Sequence, residues 1–99
     1  MRQFLLKLLP SEEKRIPSPF ETAAWLMERG HFAGAIEAYR ALAERFPQRR
    51  AECELHMGAA RHFIGDYREA LRHYEAARAL GAEVQPQLAR TEEALRRVG

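Results

Sequence analysis

One helix is written twice in this chain. The stretch "GHFAGAIEAYRALAERFP", Gly30–Pro47, returns 35 residues later as "GDYREALRHYEAARALG", Gly65–Gly81. Gly30 pairs with Gly65, Phe32 with Tyr67, Ala35 with Ala70, Ile36 with Leu71, Tyr39 with Tyr74 and Ala41 with Ala76. A chain that repeats a unit at this period stacks copies of it, because one short helix pair cannot bury its own apolar face.

The punctuation around the repeats is helical. In "SPFE", Ser18 suits the N-cap, Pro19 the first helical position and Glu21 the capping-box partner. That helix is expected to run to about Arg29 and to stop at Gly30. A second is expected from about Ala33 to Phe46, ended by Pro47. A third spans about Arg50 to Ile64 and stops at Gly65. Asp66 with Glu69 reads as another capping box, opening a fourth helix that ends at Gly81, and Pro86 starts a fifth. Within the fourth, Tyr67, Ala70, Leu71, Tyr74, Ala77 and Leu80 share the inward face, while Arg68, Glu69, Arg72, Glu75 and Arg78 fill the other. No stretch alternates with a period of two for long enough to be a strand. The expected class is all-α, built from antiparallel hairpins.

Composition bounds the function. Sixteen basic residues are interleaved with fourteen acidic ones, for a net charge of +2, so no broad basic field points to nucleic acid. The single cysteine, Cys53, precludes an internal disulfide and fits a reducing compartment. In "MRQFLLKLLP" the apolar run is broken by Lys7 and closed by Pro10, and no small-residue cleavage site follows. The expected location is the cytoplasm, with no stable membrane insertion.

The residues of the repeat carry a resemblance. Ala51–Ala82 resembles a tetratricopeptide repeat: Gly58 in the first helix, "GDY" at the turn, then Ala70, Tyr74 and Ala77. Phe20–Pro47 resembles a looser copy, with "GHF" at the turn, Ala35, Tyr39, Leu42 and the closing Pro47. The last helix resembles the solvating cap of such arrays. This implies a superhelix with units at about 16–50 and 51–84 and a cap at about 86–98, preceded by an arm at 1–15. The chain departs from the pattern in five places. Glu54 and Arg61 stand where the family often has Trp and Tyr. Trp25 lies at a different helical offset, Ala82 replaces the closing proline, and one residue is extra near Gln48–Arg50.

The resemblance implies a binding scaffold whose first helices line a concave face. That face would comprise Phe20, Ala24 and Met27 in the first unit, and Leu55, Ala59, His62 and Phe63 in the second. The spacing places each set on one face of its helix. Two readings stand side by side: plain core covered by a neighbour, or an apolar groove for the amphipathic helix or peptide of another protein. Relatives that clamp chaperone carboxylate tails use Lys and Asn here, and Phe20, Ala24, Leu55 and Ala59 exclude that specificity.

The arm, with Phe4, Leu5, Leu6, Leu8 and Leu9, is too apolar to leave in water. It is expected to cover its own groove or to strap two chains into a homodimer, with contact to a membrane surface as a third reading. Chemistry is sparse. Cys53 and His56 share a helix face but fall short of the three or four ligands a metal needs, and Glu92 and Glu93 point apart. No phosphate loop or nucleophile motif occurs. The chain is therefore expected to be no enzyme, with no catalytic residue, no metal and no cofactor. Weak RNA binding through Arg49, Arg50, Arg90, Arg96 and Arg97 is the alternative function, against which the interspersed Glu92 and Glu93 argue.

Overall fold

A computed structural model of the chain describes residues 17–99. The arm residues Phe4, Leu5, Leu8 and Leu9, and the boundary between arm and repeats, lie outside the described residues. Those described form five α-helices and no strand: α1 (Pro19–Glu28), α2 (Phe32–Arg45), α3 (Arg50–Phe63), α4 (Tyr67–Ala79) and α5 (Gln85–Val98). A single 3-10 turn, Pro47–Arg49, joins α2 to α3. None of these helices is long and apolar enough to cross a membrane.

The helix ends follow the local chemistry, with two corrections. The Ser18 hydroxyl accepts the Glu21 amide at 3.2 Å, and Pro19 opens α1. Gly30 and Gly65 close α1 and α3 in the same way. Each has a positive φ, 77° and 86°, and donates to the carbonyl three residues back. The next amide, of His31 or Asp66, bonds the carbonyl five residues back, so both turns are Schellman caps that need a left-handed residue. The expected capping box at Asp66 does not form, because its carboxylate is taken by Arg61 at 3.2 Å. Leu80, expected inward, is 50% exposed: it is the C-cap of α4, past the last turn that faces the core.

Each helix packs mainly on its neighbours in sequence. One core cluster joins Ala23 of α1, Ala35, Ile36, Tyr39 and Leu42 of α2, and Cys53, Met57 and Ala60 of α3. The other joins Ala70, Tyr74 and Ala77 of α4 to Val84 and Leu88 at the start of α5. Between α3 and α4 the approach is very close. A Cβ on Gly58 would sit 2.5 Å from Cε1 of Tyr74, so only glycine admits the ring. Tyr39 stacks on His56 with centroids 4.6 Å apart and 14° between planes, which ties the first hairpin to the second.

Candidate functional site

The antiparallel packing sets α3 and α5 on one side of α4 with a cleft of about 340 Å³ between them. Leu55, His56, Ala59, His62 and Phe63 of α3 line it. Tyr74 closes its floor, and Gln87, Arg90 and Thr91 of α5 form the far wall. Four of the residues expected in the groove, Leu55, Ala59, His62 and Phe63, thus meet in one place. They recur at three- and four-residue steps, so a single face of α3 presents them all. Phe20, Ala24 and Met27 of α1 line none of this cleft. Phe20 packs on Phe46, centroids 5.5 Å apart, under the Arg49 guanidinium at 3.5 Å, and Met27 lies against the first core cluster.

The cleft is apolar at its base and polar along one edge. Phe63 is 65% exposed despite stacking on Phe32 at 5.4 Å, so its ring stays open to a ligand. His62 fastens the two walls: its Nδ1 lies 2.9 Å from the Thr91 hydroxyl, and its ring meets Tyr67 edge-on. Burial pushes the Tyr74 hydroxyl above the ordinary phenol range, against the pull of Arg90 and of a hydrogen bond with Thr91. Burial likewise holds His56 below the usual imidazole value, which favours its neutral form. Gln87 Oε1 is shielded from solvent and accepts no hydrogen bond from the described residues. Arg90 stands at the rim in no ion pair with them.

The far wall was not legible from the sequence, which reads α5 as a solvated cap. Its signal was Leu88 and Thr91, three apart and both buried within an otherwise charged helix. The other arginines named for RNA are engaged: Arg49 by Glu52 at 2.8 Å, Arg50 by Glu54 at 3.5 Å, and both Arg96 and Arg97 by Glu93. Cys53 is buried in the core and His56 stacks on Tyr39, so the two do not converge. Among the described residues no three His, Cys, Asp or Glu side chains come together to hold a metal. Compared with family models, with curated proteins and with solved structures, the chain matches none.

Proposed function

We propose that this chain is a small adaptor of the tetratricopeptide type, which holds an amphipathic helix or peptide of another protein in the cleft between α3 and α5. The observation that carries this reading is the open apolar strip Leu55, Ala59 and Phe63 facing Arg90 across the cleft. An apolar base with few polar groups at its edge suits a helix laid in a groove. Arg90, in no ion pair with the described residues, favours a partner segment that carries a carboxylate. The internal repeat supports the family part, and so does the Gly58–Tyr74 approach at the position where the resemblance places a small residue.

The chain's own arm suits this cleft poorly. It carries Arg2 and Lys7, whereas the cleft is lined by Arg90, His56, His62 and Tyr74 and by no carboxylate.

The test uses two labelled model helices of about 15 residues, one patterned Leu/Glu and one Leu/Lys, titrated against the full chain by fluorescence anisotropy. The Leu/Glu helix is expected to bind saturably, and the Ala59→Arg chain, with unchanged far-UV circular dichroism, is expected to lose that binding. Binding that survives Ala59→Arg, or none to either helix, overturns the reading. A labelled single-stranded RNA in the same assay separates the alternative, since its binding would fall steeply with salt.

A further inference from the structure

The repeat allows each surface of the first unit to be compared with its counterpart 35 residues later. Thr22 and Trp25 of α1 correspond to Met57 and Ala60 of α3. In the second unit those positions are buried, 3% and 0% exposed, because the first unit lies against them. In the first unit no described element precedes α1, and Trp25 is 48% exposed. A face that this architecture buries elsewhere is therefore covered by no described helix at the start of the stack.

Two adjoining grooves mark that face. One is lined by Pro17, Glu21, Thr22 and Trp25, and the other by Pro17, Thr22, Ala38, Ala41 and Leu42 among others. Ala38 and Ala41 keep the α2 wall low, so an incoming side chain can reach Leu42. Pro17, the first described residue, belongs to both grooves, so residue 16 is joined to the chain at this face. In the sequence before it Phe4, Leu5, Leu8 and Leu9 fall at the one- and four-residue steps of one helical face, with Lys7 off it. The seven residues from Pro10 to Ile16 span at most about 23 Å, enough to fold back on the nearest surface at a small loop-closure cost.

We propose that residues 4–9 of the same chain cover the open α1–α2 face, taking the place that a preceding unit would occupy in a longer stack. The arm is then the N-terminal cap of the repeat, and leaves the α3–α5 cleft free for a partner. This assignment stands independently of what the cleft binds.

Trp25 is the only tryptophan, so its fluorescence reads the face directly. The full chain is compared with its Leu5→Asp/Leu8→Asp variant, far-UV circular dichroism confirming that both are folded. The variant is expected to show red-shifted emission and about a twofold rise in acrylamide quenching, since the arm no longer shields the indole. Ala41→Arg, on the α2 wall away from the indole, is expected to give the same change by displacing the arm from its seat. Equal quenching in the wild-type chain and both variants would overturn the proposal. So would protection of Trp25 that fades on dilution, since the cover would then come from a second copy.

Discussion

At the residue scale, glycine does two different jobs in the helices, and the difference has opposite consequences. Gly58 is buried, and a methyl there would meet the Tyr74 ring at 2.5–3.0 Å. That ring is itself only 4% exposed and held from several sides, so it cannot swing away. Gly34 sits exposed in α2, where a methyl would find Leu26 at an ordinary 3.7 Å. Alanine gains about 0.5–1 kcal/mol over glycine in a helix. Overpacking a tight core contact costs about 1–3 kcal/mol. Gly34→Ala is therefore expected to raise the urea midpoint, and Gly58→Ala to lower it by the equivalent of about 1 kcal/mol. A stabilised Gly58→Ala chain would mean that α3 and α4 move apart freely at this contact. Position 23, the counterpart of Gly58 in the first unit, already carries alanine at 0% exposure.

At the element scale, much of the fold was legible because helix ends and apolar faces are local properties. Ser18, Pro19, Gly30, Pro47, Gly65 and Gly81 each bear on the backbone within a turn of themselves, and the helices begin and end beside them. Long-range pairs were not legible. Glu54 reads from sequence as a polar residue in an apolar place, yet it is 7% exposed and bound to His73 Nδ1 at 2.7 Å, across from α3 to α4, with Arg50 3.5 Å from its other oxygen. Nothing local announces a partner nineteen residues away. For the same reason the α5 wall of the cleft escaped, since it depends on where α5 lands and not on what α5 is. The Glu54–His73 contact has no counterpart in the first unit, where Pro19 and Ala38 occupy the matching positions. A double-mutant cycle with Glu54→Ala and His73→Ala should return a coupling of about 1 kcal/mol, typical of a contacting, largely desolvated pair. A coupling near zero would show that each side chain is held by something other than its partner, Arg50 in the case of Glu54.

At the scale of the whole molecule, packing between successive helices makes stability a sum of nearest-neighbour terms. The central helix α3 is braced on both sides, by α2 through Cys53 and Met57 and by α4 through Gly58. The last helix is braced on one, chiefly by Leu88, which is 5% exposed, and by the buried Thr91. Amide exchange should therefore be slowest in α3 and should quicken toward α5. Leu88→Ala leaves a cavity worth about 2–3 kcal/mol. In a chain of independent neighbours that loss stays near its source. Exchange should accelerate in α5 and the facing part of α4, while α1 and α2 keep their protection. The cleft should loosen with α5, because Gln87, Arg90 and Thr91 all ride on it. Protection that fell equally from α1 to α5 would mean that this short stack unfolds as one cooperative body. The cleft and the distant α1–α2 face would then be energetically linked, and filling either would steady the other.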